Sequence, residues 1–243
     1  MRIHRVFVNS TLSPATEIEL PADTCHYLST VLRAKAGQPL SLFNNTGNVF
    51  QATITCIDKK RVVAAIHHAE IVDTESPLRI HLAIGISRGD RMDFVLQKST
   101  ELGVHSITPL FCERTEVKLA DDRLQKKMEH WQKIIIGACE QSGRTRLPLL
   151  NQASTLPATI AQDNSDLRFV LHHRSDSTLA AIPSKPASVT LLIGPEGGLS
   201  VHEIALAEQH GFSPLTLGPR VLRTETAPVA ALSILQFVWG DLQ

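Results

Sequence analysis

Leu191-Leu192-Ile193-Gly194-Pro195-Glu196-Gly197-Gly198-Leu199-Ser200 and Leu215-Thr216-Leu217-Gly218-Pro219-Arg220-Val221-Leu222-Arg223-Thr224-Glu225-Thr226-Ala227 are the stretches on which the reading of this chain turns. Each begins as a short apolar run, the pattern of a buried strand. Each then passes through a glycine-bearing loop into a helical pattern. Strand, loop and helix in that order, twice, is how α/β proteins build ligand sites at strand C-termini. A plain strand-to-helix turn needs one glycine. Gly194, Gly197 and Gly198 with Pro195 between them imply an unusual backbone path that a ligand can approach closely.

The segments upstream have the same rhythm from residue 77 onward. Strands are expected at Ile80–Ile86, His105–Pro109, Arg168–His172, Val189–Ile193 and Pro214–Leu217. Helices are expected from Met92 to Leu102 with Gly103 as its stop, Asp121 to Ser142, Ala153 to Gln162, Ser177 to Ile182, Val201 to Gln209 and Glu225 to Trp239. Ser200 and Glu203 have the spacing of a capping box at the start of the Val201 helix. Alternation of this kind predicts a parallel sheet covered on both faces.

Residues 1–72 read differently. Short strand patterns at Arg2–Val8, Ile18–Leu20, Pro39–Phe43, Val49–Ile57 and Val62–His68 are separated by turns such as Asn44-Asn45-Thr46-Gly47-Asn48. A helix capped by Asp23 is expected through Leu32, with Gly37 ending it. The sum is a small β-barrel. The polar, proline-bearing Asp73–Pro77 places the boundary between a domain at 1–72 and one at 77–243.

Composition narrows the chemistry. The 243 residues are 43% hydrophobic and 20% charged, with formal net charge +0. That balance disfavours a binder working through bulk positive charge, but not one with a local basic face. Cys25, Cys56, Cys112 and Cys139 are widely spaced, as in a chain with reduced thiols. The adjacent pairs His67-His68 and His172-His173 point to opposite strand faces, so no metal site is expected. There is no apolar leader and no membrane-length apolar run, so a cytoplasmic location is expected. G-x-x-x-x-G-K-[ST], G-x-G-x-x-G and G-x-S-x-G are all missing, which argues against phosphate-loop, dinucleotide and serine-hydrolase chemistry. Apolar Leu217, Val221 and Leu222 beside backbone polar groups fit a nucleoside better than a pyrophosphate. Arg5, Arg33, Arg88, Arg91, Lys98, Arg114 and Arg144, with Arg2, could form a basic rim for a phosphate backbone.

Taken together, Ile193–Gly198 and Leu217–Ala227 resemble the bacterial 16S ribosomal RNA (uracil-N3)-methyltransferase family of the SPOUT class. Arg2 and Phe7, His26-Tyr27-Leu28 with Val31-Leu32-Arg33, Gln97-Lys98 with Glu101-Leu102-Gly103-Val104, and Glu140-Gln141-Ser142-x-Arg144 extend the resemblance over the whole chain. It implies a PUA-like RNA-binding barrel followed by an α/β methyltransferase domain with a C-terminal trefoil knot. It also implies S-adenosylmethionine as cofactor, 16S RNA in the 30S subunit as substrate, and a homodimer packed through the last helix. Leu171, Ile193, Gly194, Pro195, Glu196, Gly197, Gly198, Leu217, Gly218, Val221, Leu222, Thr224, Thr226 and Ala227 would hold the cofactor. Catalytic work would fall to Glu196, Arg220, Arg223 and Glu225. Either carboxylate could take the uridine proton, and Glu225 could equally cap the last helix. Rival readings are a SPOUT enzyme with another RNA target, a non-catalytic RNA-binding protein, and a nucleotide-dependent α/β enzyme.

Overall fold

The computed structural model describes residues 3–58, 60–117, 121–171 and 185–243. Arg2, the Ser177–Ile182 helix expectation and the His172-His173 pair fall outside them. The chain divides into two compact units, one of residues 1–75 with 139–147, the other of 76–138 with 148–243. A single cut near residue 75 is therefore insufficient: the stretch 139–147, expected within the second domain, belongs to the first unit.

In the first unit β1 (His4–Phe7), β2 (Glu17–Glu19), β3 (Pro39–Phe43), β4 (Asn48–Ile57) and β5 (Val62–Ile71) form one sheet in the order β1-β3-β4-β5-β2. Only β1 and β3 pair in parallel. Register shifts at Gln51/Ala52 and Ile54/Cys56 are bulges, which bend a strand and increase its twist. Alternate residues point to one core: Val6, Leu40, Leu42, Phe50, Ala52, Ile54, Val62, Ala64 and Ile66. Helix α1 (Ala22–His26) starts after Pro21, not after an Asp23 cap, and Tyr27–Val31 continues it as a π-helical turn. Proline there fits because the first helical N–H groups need no intrahelical acceptor.

The stretch 139–147 is bound to this sheet by polar contacts. Glu140 Oε1 accepts the Phe7 N–H at 3.0 Å and Thr145 Oγ1 donates to Val72 O at 2.9 Å. Arg5 Nη2 donates to Arg144 O at 3.0 Å while its guanidinium lies 5.1 Å from the Phe43 ring centre. Leu147 N donates to Asn45 Oδ1 at 2.7 Å.

The second unit has a parallel sheet in the order β12-β10-β11-β6-β7-β8, with β9 also on β7. Its strands are β6 (Arg79–Gly85), β7 (Ser106–Phe111), β8 (Leu149–Leu150), β9 (Ser154–Thr155), β10 (Leu167–Leu171), β11 (Ser188–Ile193) and β12 (Ser213–Leu215). The helices are α2 (Asp90–Glu101), α3 (Asp121–Ser142), α4 (Leu156–Gln162), α5 (Val201–Gln209) and α6 (Thr226–Trp239). The helix expected over Ala153–Gln162 thus begins with a strand at Ser154–Thr155, and the Thr155 hydroxyl caps α4. One core face carries Ile80, Leu82, Ile84, Leu191 and Ile193 against Met92, Leu96, Trp131, Ile135, Leu232 and Leu235. The other carries Ala83, Leu192 and Val170 against Ile160, Leu199, Ala207 and Phe212. Burial on both faces is why these strands are continuous apolar runs. Gln236 is fully buried in α6. It accepts from Ser76 Oγ at 2.6 Å and donates to Leu102 O at 3.0 Å, which ties α6 to the end of α2.

Candidate functional site

The C-terminal ends of β10, β11 and β12 open into a cavity of about 460 Å³. Leu171, Ile193 and Leu215 end the strands at its base. The loop after β11 forms one wall. Its shape follows from two close approaches. A Cβ on Gly85, the last residue of β6, would stand 2.4 Å from Pro195 N, and one on Gly194 would stand 2.7 Å from Leu199 N. Only bare backbone allows this loop to fold down on the sheet edge. Thr224 Oγ1 donates to Gly194 O at 3.1 Å and so joins the second loop to the first. Helix α5 fixes the far end by the expected capping box, with Glu203 N to Ser200 Oγ at 3.0 Å and Ser200 N to Glu203 Oε2 at 2.8 Å.

Of the expected cofactor contacts, Leu171, Ile193, Gly194, Pro195, Glu196, Gly198, Leu217, Gly218, Val221, Leu222, Thr224 and Ala227 line the cavity. Gly197 and Thr226 do not. Gly197 turns outward, with Arg114 Nη1 donating to its carbonyl at 3.0 Å, and Thr226 is the first residue of α6. Arg220, Arg223 and Glu225 line the cavity as well. Leu199, Leu215 and Thr216 line it too without having been expected as contacts; Leu215 ends β12, Thr216 follows it and Leu199 precedes the cap of α5, and their apolar or β-branched character carries no ligand signal.

The structure separates the two carboxylates. Glu196 Oε1 accepts the Arg88 N–H at 2.9 Å and an Arg91 Nη1–H at 3.1 Å. Burial pushes this carboxyl up, but the Arg88 N–H and the Arg91 charge outweigh it and hold it below the usual range. Glu225 occupies the N-cap position of α6, yet its side chain makes no capping hydrogen bond. The capping role is therefore not the one it plays. Its contact is with Arg91 Nε at 3.9 Å. Among the described residues, Arg220 and Arg223 are exposed and have no ion-pair partner.

The expected basic rim is mostly committed elsewhere. Arg144 is 4% exposed and ion-paired with Glu75, so it does not present its charge to a phosphate. Lys98 pairs with Glu101 at 2.8 Å along α2, and Arg114 braces the carbonyls of Gly197 and Leu199. Arg5 is occupied with Arg144 O and Phe43, and Arg91 belongs to the cavity. Arg88 is exposed and paired with Glu116 at 2.9 Å. Arg33 is exposed in left-handed backbone, φ 49°. Among the described residues no group of His, Cys, Asp or Glu has the arrangement of a metal site, and no helix is long and apolar enough to cross a membrane.

A bulged N-terminal sheet and a parallel α/β unit with its pocket at glycine-loop strand ends make the architecture of a SPOUT-type RNA methyltransferase with a PUA domain. Residues 74–236 match the family described as RNA methyltransferase domain, and residues 20–66 match RNA methyltransferase PUA domain. The chain is 40% identical to ribosomal RNA small subunit methyltransferase E of Buchnera aphidicola, over 99% of this chain and 98% of that one. A methyltransferase of Legionella pneumophila solved with bound S-adenosylmethionine superposes with a TM-score of 0.97 at 45% identity, and both chains are fully covered. Ribosomal RNA small subunit methyltransferase E of Neisseria gonorrhoeae, also bound to S-adenosylmethionine, gives 0.93 at 37% identity with full coverage of both. The chain belongs to the ribosomal RNA small subunit methyltransferase E family.

Proposed function

We propose that this protein transfers a methyl group from S-adenosylmethionine to N3 of a uridine in 16S ribosomal RNA. It acts on the 30S subunit in the cytoplasm, as a homodimer and without a metal. The observation that carries the reading is the pocket between the two glycine loops, in a chain 45% identical to a protein solved with S-adenosylmethionine.

The residues present suit that cofactor. Gly194 and Gly198 expose backbone to it, Ile193, Leu217 and Leu222 offer apolar surface for a flat ring, and Glu196 and Glu225 complement a sulfonium charge. When bound, S-adenosylmethionine supplies an electrophilic methyl group that passes to N3, with the neutral thioether as leaving group. The protein must hold N3 in line and remove its proton. Glu225 takes the proton, because Glu196 is already bound to an N–H and a guanidinium that stabilise its ionised form. Arg220 and Arg223 stabilise the negative charge that develops on the uracil oxygens. The target base leaves its stack to reach the pocket.

The expected domain of 1–72, joined by 139–147 in the first unit, binds RNA, and the remainder of 77–243 carries the chemistry. Arg33 and Arg88 are the phosphate contacts best supported by their exposure. The dimer is supported by α6 and the residues after it, where Ile234, Phe237, Val238 and Leu242 are exposed, Phe237 to 64%. Methylation of 30S subunits lacking the modification, with the product nucleoside identified, tests the reading; a product other than N3-methyluridine overturns it. Sedimentation of the wild type beside F237K tests the dimer, which the variant should dissociate.

A further inference from the structure

We propose that Arg91 is the positioning residue that offsets the charge of Glu196 beside Glu225 and directs Glu225 into the pocket, and that it is not an RNA contact. This rests on the reading of Glu225 as proton acceptor. Arg91 lies in the first turn of α2, outside both glycine loops. Its guanidinium spans them: Nη1 is 3.1 Å from Glu196 Oε1, and Nε is 3.9 Å from Glu225 Oε2. The turn is shaped for this. Gly89, with φ 54°, lets the backbone enter α2 so that the Arg88 N–H and the Arg91 side chain meet the same Glu196 oxygen.

The two contacts are unequal, and that inequality assigns the roles. Glu196 takes two close hydrogen bonds and is a fixed anchor. Glu225 sits at ion-pair distance only, so its lone pairs stay available for a substrate proton. Glu196 and Glu225 line one cavity, and like charges in one site repel unless a cation stands between them. The charges that bear on Glu225 are Arg91 from α2, Glu196 from the loop after β11, and Arg220 and Arg223 from its own loop. Of the cations, only Arg91 has a contact to both carboxylates among the described residues. Arg220 and Arg223 remain for the uracil.

The test is single-turnover methylation of unmodified 30S subunits by full-length R91A, R91K and E225Q across pH, with calorimetric S-adenosylmethionine binding alongside. Loss of the cation leaves Glu225 facing the like charge of Glu196, so the acid limb of the R91A rate profile should move up by about one unit. R91K keeps the charge and should leave that limb in place, with a lower plateau because an ammonium cannot span both carboxylates. Both should still bind the cofactor. A limb in R91A that coincides with the wild type's, or an equal shift in R91K, overturns the proposal. Cofactor binding lost in both variants also overturns it, since Arg91 would then be cofactor wall. E225Q separates the two levels. If it methylates like the wild type, the proton-acceptor reading has failed; if it is impaired while R91A shows no shift, only the role of Arg91 has failed.

Discussion

Gly194 shows how little tolerance the site has. A methyl group there would meet Leu199 N at 2.7 Å, and the obstacle is backbone, which cannot rotate away. G194A should therefore weaken S-adenosylmethionine binding by about 2 kcal/mol, roughly thirtyfold in Kd by calorimetry, with the sheet intact. Arg223 poses the opposite case. It is exposed and has no ion-pair partner among the described residues, so its removal strains nothing. R223A should lower single-turnover methylation far more than cofactor affinity; an unchanged rate would remove Arg223 from the mechanism. The glycines were legible because no other residue takes their place. The different surroundings of Glu196 and Glu225 were not, because they depend on Arg91, more than a hundred residues away in sequence.

At the scale of elements, the last turn of α3 illustrates a motif with a structural answer. Arg144, two residues past its end, was expected to contact RNA, yet it is buried against Glu75, while Glu140 in that turn receives the Phe7 N–H. R144A leaves Glu75 without its cation and should cost about 3 kcal/mol in chemical denaturation. If Arg144 held phosphate instead, the variant would keep its stability and lose salt-dependent RNA affinity. Charge and spacing do not tell a buried ion pair from an exposed one. The capping box of α5 was readable in full, since Ser200 and Glu203 satisfy N–H groups within one turn. S200A should cost about 1 kcal/mol. The proline start of α1 and the short β8 and β9 were less readable, since such short pieces take their form from the neighbours they pair with.

The molecule as a whole carries a polar network at the opposite end of its parallel sheet. Asp163 is nearly buried and accepts from Thr190 Oγ1 at 2.5 Å, Arg168 Nε at 3.1 Å and Ser165 N at 3.0 Å, with His81 Nδ1 at 3.4 Å. Burial alone would raise its carboxyl, but the bonds from His81, Thr190 and Ser165 prevail and hold it well below the ordinary value. A depressed carboxyl stabilises the fold above its unfolded pKa of about 4, and that contribution is lost as pH falls through the lower, folded value. Thermal unfolding should therefore show stability falling as pH drops below about 4. D163N should be less stable at neutral pH and show a shallower acid slope; equal slopes would mean that other carboxylates set it.

The local pieces could be read from the order of residues: apolar strands buried on both faces, the capped helices, the glycine loops at strand ends and the change of rhythm near residue 75. These are set by periodicity and by backbone freedom, which act within a few residues. Folding in three dimensions was needed to bring 139–147 into the first unit, to spend most of the expected basic rim on internal partners, and to set Arg91 between two carboxylates. Each of these depends on which charges burial brings together, and the energy of a charge depends on its partners and its exposure more than on its place in the chain.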